Sequence, residues 1–268
     1  MITDALEELE RPDCDFEEVA SLVSLDPVLA GRVLRMANSA FFGAVHKADN
    51  VEAAICRLGI KECRALLLTV GLMTAMPELP QPHNAKVFWT LSLATALVGH
   101  QLALAVGHPA ADRVYLAGLL HLLGEGLLAI QFTERFRKAI LVAKRDALPL
   151  VLSLTEEFGC DYAALGRVIL ERWAFPADLV DAVAHHLAPE LSRRDPLLAS
   201  LVTAAGGICR ARELGLRDIQ HTGRPWTDAM PSSFFDAVQA AGHADVTALL
   251  ESLEPHIDEA LDFAATVF

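Results

Sequence analysis

The chain has 268 residues, 53% of them hydrophobic but only 6% aromatic, with a formal net charge of −13 and a pI near 5.1. That length buries a substantial core in one large or two small domains, and an apolar content resting on Ala, Leu and Val suits packed helices. The acidic balance argues against a protein that grips nucleic-acid phosphates over a broad basic surface, and five scattered cysteines without a CxxC pair read as reduced, mostly buried thiols.

The opening, MITDALEELERPDCDFEE, is acidic and lacks the basic and apolar segments of a secretory signal, so a cytoplasmic protein is expected. Phe16 to Leu25 predicts a short helix. Asp26-Pro27, a cap followed by proline at the first helical position, opens another over Pro27 to Ala37, with Leu29, Val33 and Met36 on one face and Arg32 and Arg35 elsewhere. Gly43 to Asn50 is a polar loop, Asn50 caps Val51 to Leu58, Gly59 stops that helix, and Ile60 to Met76 is long and largely buried. Cys56 reads as core. The prolines of Pro77 to Ala85 remove backbone donors and mark a subdomain boundary.

Helical patterns follow over Lys86 to Val106, Asp112 to Gln131, Thr133 to Arg145, Val151 to Phe158, Asp161 to Trp173, Pro176 to His186 and Asp195 to Leu214. Val87 to Gly107 carries no formal charge and approaches the ~20 residues a bilayer requires. Its Thr90, Ser92, Thr95, His100 and Gln101, without a flanking Lys/Arg cluster, mark a buried core helix instead. His100 and His108 are expected to be partly exposed, His108 in a turn. Gly215 to Pro231 is irregular. A helical tail then runs over Phe235 to Ala240, Ala244 to Leu253 and Pro255 to Phe268; Leu249, Leu250, Leu253 and Ile257 share a face that packs back onto the bundle, homodimerisation being the alternative.

The runs SLDPVLAGRVLRMANSAFFG and VEAAICRLGIKECRALLL hold Asp26-Pro27, Leu34-Arg35-Met36-Ala37-Asn38-Ser39-Ala40, Ala54-Ile55 and Leu58-Gly59. They resemble the signature of HDOD proteins, a bacterial family related to HD-type metal phosphohydrolases and named for its output role. The likeness continues through the Trp89 helix, the segment AGLLHLLG (Ala117 to Gly124) and the pair His185-His186. Covering roughly Phe16 to Arg212, it implies an N-terminal helical subdomain (1–80) packed on an HD-like helical bundle (81–214); with the C-terminal helical extension (215–268), which lies outside the likeness, the fold expected is all-α. The likeness also implies a non-enzymatic regulatory module in bacterial signal transduction that binds other proteins: sensor kinases, response regulators or cyclic-dinucleotide enzymes. No cofactor, nucleic acid or membrane partner is expected. Asp26, Pro27, Arg35, Asn38 and Ser39 read either as a fold-defining corner, where short polar side chains bond free backbone groups, or as a docking surface.

HD hydrolases hold their metals with a first His, a His-Asp pair, further His residues and a final Asp from separate helices. Matched position by position, these fall near Ser92, at His121-Leu122, at His185 or His186, and near Ala205-Gly206. Leucine has no lone pair, and imidazoles without carboxylates make an incomplete site for Mn or Fe. No metal ligands and no catalytic residues are therefore assigned. Spacing of four lets Asp181 and His185, and likewise His121 and Glu125, share a helical face. The alternative is a phosphohydrolase or cyclic-dinucleotide phosphodiesterase with altered ligands from His121, His185, His186 and Asp181. A second alternative is a small-molecule sensor that keeps the old pocket for a nucleotide without turnover. No serine lies in GxSxG, and no Gly-rich phosphate loop follows a strand.

Overall fold

Side-chain caps at three helix starts set the first part of the chain. In the computed structural model, which describes residues 2–11, 13–38, 47–75, 79, 85–214 and 225–266, α1 (Ile2–Glu10) leads to Asp15, whose carboxylate accepts the Glu17 N–H at 2.8 Å and opens α2 (Phe16–Ser24). Asp26 accepts the Leu29 N–H at 3.2 Å and Pro27 takes the first position of α3 (Pro27–Ala37), as its fixed φ favours. Asn50 accepts the Ala53 N–H at 2.7 Å at the head of α4 (Val51–Ala75). Within α4 the backbone breaks at Gly59, whose φ of 77° lets the chain leave one helical segment and enter the next.

The chain divides into two compact units, Met1–Pro77 with Ala265–Phe268, and Glu78–Ala264. In the first, α1, α2 and α3 each pack on α4. Leu29, Val33 and Met36 are buried as their spacing predicts, together with Val19, Val23, Ile55 and Leu67, while Arg35 is exposed. The cysteines depart from expectation: Cys63 and Cys209 are buried, but Cys14 is only half-buried and Cys56 and Cys160 are exposed. Cys56 falls beside Arg57 on the solvent side of α4, whose inner side is made by Ala54, Ile55 and Leu58. Burial pushes the Cys63 and Cys209 thiols up to about 12, so both stay protonated.

The second unit is built around α5 (Ala85–Ala105), which packs on α6 (Ala111–Leu120) and on α12 (Pro196–Ala211). Between α6 and α12 come α7 (Leu123–Gln131), α8 (Thr133–Asp146), α9 (Leu150–Phe158), α10 (Tyr162–Arg172) and α11 (Ala177–His185); α7 rests on α10, and α11 packs on α6, α10 and α12. α5 and the stretch Ala111–Gln131 are long and apolar enough to cross a membrane, yet each is 78% buried inside the molecule. They are core helices by composition and placement. After α12 come α13 (Ser232–Ala240) and α14 (Val246–Thr266). Among the described residues there is no strand.

Three expectations need correction. The helix predicted over Asp112 to Gln131 is two helices, because the backbone turns at His121-Leu122, where Leu122 has φ −96° and ψ 4°. The tail does not break at Pro255; α14 runs through it. Pro255 and Glu251 both lie on the solvent side, so the carbonyl that loses its partner can be hydrated, while Leu249, Leu253, Ile257, Ala260 and Ala264 form one buried stripe across the proline. His108 lies in the turn between α5 and α6 as expected, but it is buried and not partly exposed, its Nε2 3.1 Å from Oδ2 of Asp195. His100 is half-buried.

Candidate functional site

The segment around His121 is held by two glycines. A Cβ on Gly118 would lie 2.8 Å from the Ala96 Cα, so the α6 backbone rides directly on α5. The two helices are antiparallel neighbours across a short connection, and this register brings Ser92, one turn before Ala96, level with His121, one turn after Gly118. A Cβ on Gly124 would collide with the Tyr162 carbonyl, which fixes α7 equally close to α10. The glycines of AGLLHLLG are packing residues with the histidine held between them.

His121 is 1% exposed and donates its Nδ1–H to the Gly118 carbonyl at 2.6 Å. His186, also buried, donates its Nδ1–H to the Val183 carbonyl at 2.6 Å. These bonds set the tautomer of both rings and leave Nε2 with its lone pair. The rings meet edge to face with centroids 5.2 Å apart, and the Tyr162 ring lies 5.6 Å from His186. Burial, reinforced by the Arg210 cation, pulls His186 down to about 4, so it is neutral near pH 7. Burial likewise pushes the Tyr162 phenol above its ordinary value. Among the described residues, Ser92 Oγ, Tyr162 OH and His186 Nε2 have no hydrogen-bond partner.

Where a carboxylate would complete an HD metal centre, this chain carries something else. Leu122 is fully buried beside His121. On α12, Ala205 faces Gly99, whereas Gly206 faces the histidine: a Cβ there would lie 3.8 Å from His121 Nε2 and 3.0 Å from Nη1 of Arg210. Gly206 therefore leaves the room that the Arg210 guanidinium fills, one helical turn on. Glu125, fully buried, and Arg210 bias His186 and Tyr162 in opposite directions. Among the described residues no three His, Cys, Asp or Glu side chains come together as metal ligands. Two imidazoles and the single carboxylate of Glu125, beside a leucine, a glycine and a resident cation, do not fit the binuclear metal of HD hydrolases, which draws on several carboxylates to offset its charge.

The altered set drawn from His121, His185, His186 and Asp181 does not assemble either. His186 joins His121 inside, but His185 and Asp181 line a separate cleft on the outer side of α11. They do share a helical face, as their spacing predicts, with His185 Nδ1 3.2 Å from Asp181 Oδ1. In the first unit, Asn38 Oδ1 accepts the Ala48 N–H at 2.7 Å and its Nδ2 donates to the Ala48 carbonyl at 2.9 Å. Arg57, which the sequence did not single out, donates to the Ala37 carbonyl and, at 3.3 Å, to Asn38 Oδ1. Asp26 and Pro27 act as the cap of α3; Ser39 and the segments 76–78, 80–84 and 215–224 lie outside the described residues. Tyr162 and Arg210 were also missed. The only sequence sign of Arg210 is its position four after Gly206.

The HDOD domain profile matches residues 1–189. An uncharacterised protein of Treponema pallidum (strain Nichols) is 29% identical over 207 residues, 75% of this chain but 39% of that protein, so the chain spans about two-fifths of this relative's length. Among solved structures, an HDOD domain protein of unknown function from Geobacter sulfurreducens superposes with a TM-score of 0.79 at 22% identity, over 97% of this chain and 90% of that one. A Shewanella amazonensis protein assigned provisionally as a phosphohydrolase gives 0.75 at 24% identity, over 100% and 93%. At these identities the structural likeness shows the fold.

Proposed function

Because the chain belongs to the HDOD domain family, we propose that it works in the bacterial cytoplasm as a signal-transduction module that binds other proteins, and not as a hydrolase. The observation that carries this reading is the pocket at His121, where Leu122 and Gly206 stand in place of carboxylates and the Arg210 guanidinium lies beside the imidazole. A divalent cation entering this pocket would meet the fixed positive charge of Arg210 in a poorly screened interior and would have to share with it the buried Glu125 carboxylate, because Leu122 and Gly206 supply no further anionic ligand. What the family scaffold then offers a cell is surface. The net charge of −13 favours partners that present basic patches, and the partner classes in keeping with the family are sensor kinases, response regulators and cyclic-dinucleotide enzymes.

The test is to expose the purified protein separately to Mn(II), Fe(II) and Zn(II), measure bound metal, and assay bis(p-nitrophenyl) phosphate and cyclic dinucleotides beside His121→Ala. The expected result is no stoichiometric metal that depends on His121 and no turnover separating the two proteins. Stoichiometric metal and hydrolysis that both vanish in His121→Ala would overturn the reading and restore the hydrolase.

A further inference from the structure

We propose that the cleft on the outer side of α11 is a binding site for a small phosphate monoester carrying an apolar body. The cleft has a volume of about 700 Å³ and lies between α10, α11 and the loop that precedes α12. This is within the roughly 300–1,000 Å³ range of small-molecule pockets. It is distinct from the His121 pocket, and the inference does not depend on the signalling role proposed above.

Its charge is the first argument. In a chain of net charge −13, three arginines line this one cleft: Arg167, Arg193 and Arg194. Arg167 is already committed, its Nε donating to Glu171 at 2.8 Å. Among the described residues neither Arg193 nor Arg194 has a carboxylate partner, although Arg113, Arg135, Arg137, Arg145 and Arg212 all do. The one other acid in the cleft, Asp181, bonds the loop backbone and not the two guanidiniums, so with Glu171 it leaves the three arginines in excess by one charge.

That loop is the second argument. Oδ2 of Asp181 accepts the Ser192 hydroxyl at 2.6 Å and the N–H groups of Arg193 and Arg194, each at 3.1 Å. A single partly buried carboxylate thus holds three consecutive residues, so the two exposed arginine side chains project from a fixed backbone. Holding donors in place before a ligand arrives lowers the entropic cost of binding it. His185, on the same face, donates its Nδ1–H to the Asp181 carbonyl at 2.9 Å, so its ring is also fixed in the wall.

The lining sets the ligand class. Two adjacent guanidiniums offer more N–H donors than one carboxylate can use, whereas a tetrahedral dianionic phosphate accepts from both. The rest of the wall is apolar, with Phe175, Val180 and Leu191, the last 59% exposed among the described residues. Inorganic phosphate would leave that surface in water. A phosphate ester with an aromatic or heterocyclic body of nucleoside monophosphate size would cover it.

The experiment is calorimetric titration of the full chain with AMP, phenyl phosphate and inorganic phosphate at low ionic strength, beside the double substitution Arg193→Ala/Arg194→Ala. The bonds from the Ser192 hydroxyl and the loop backbone to Asp181 survive in that variant, so its fold is preserved; the double substitution Arg137→Ala/Arg145→Ala, on α8, is the charge-matched control. The expected result is saturable binding of the two esters, tighter than inorganic phosphate and weakened at least tenfold in the double variant but not in the control. Equal binding by wild type and double variant, or no saturable binding of either ester, overturns the proposal. So does binding of an acidic or phosphorylated peptide where the esters fail, which would make the cleft a protein-docking surface.

Discussion

His108 and Asp195, 87 residues apart, are joined by a hydrogen bond of 3.1 Å that ties the end of α5 to the start of α12. Nδ1 of the same imidazole accepts the Ala110 N–H at 3.2 Å, so Nε2 carries the proton and donates it to the carboxylate. Asp195 Oδ1 meanwhile caps α12 by accepting the Leu198 N–H at 3.0 Å. The His108 bond holds the Asp195 carboxyl below its ordinary range, against the opposing pull of burial. Such a group stabilises the fold above its unfolded pKa of about 3.9 and loses that contribution as pH falls through the lower folded value. His108→Ala should cost about 2 kcal/mol in urea unfolding at pH 7. The stability gap between wild type and Asp195→Asn should narrow below about pH 4; a gap independent of pH would refute the link.

His186 sets a second pH window. Its folded value of about 4 lies below the ordinary 6.5, so its contribution is complete above pH 6.5 and is lost as pH falls from there toward 4. The shift corresponds to roughly 3 kcal/mol across that window. His186→Gln should show a much flatter stability profile between pH 6.5 and 4, whatever its absolute stability. In Arg210→Gln, carbon-detected NMR should find His186 titrating at higher pH, because a cation that opposes its protonation has been removed. An unmoved titration would place the guanidinium away from the ring.

The glycines around His121 can be distinguished from an ordinary turn glycine. Gly124→Ala drives a methyl into the Tyr162 carbonyl, a backbone atom that cannot swing aside, and should cost more than about 3 kcal/mol or prevent folding. Gly159 ends α9 with φ 80° and has open space around its Cα, so Gly159→Ala meets only backbone strain and should cost about 1 kcal/mol. Thermal unfolding of the two variants side by side tests the ranking, and equal losses would contradict it.

Asn38→Ala removes both bonds to Ala48 and the acceptor for Arg57. The expected loss is about 2 kcal/mol of stability. If unfolding by urea is unchanged, the corner is not what Asn38 maintains, and its place in the family signature would have to come from contact with a partner.

The features legible in the sequence are those whose partner lies within a turn or two. Asp26-Pro27, Asn50 and Gly59 could be assigned because a cap or a stop bonds its own neighbours. The apolar face Leu29, Val33 and Met36 followed from helical period alone. Cys56 failed for a related reason: thiols are often buried, but here composition was weighed above the phase of the helix, which turns it to solvent. His108, Tyr162 and Arg210 depend on which helices meet, and no local pattern specifies that. Arg193 and Arg194 depend in the same way on Asp181, which holds their backbone from another element.

The guanidinium of Arg210 is covalently part of the chain, and this separates the His121 pocket from any site filled by an ion. A chelator cannot strip it, scarcity of iron or manganese cannot empty it, and a competing ion cannot replace it with different chemistry. Whatever this guanidinium contributes to the pocket is therefore present from the moment the polypeptide folds, without waiting for an ion to arrive.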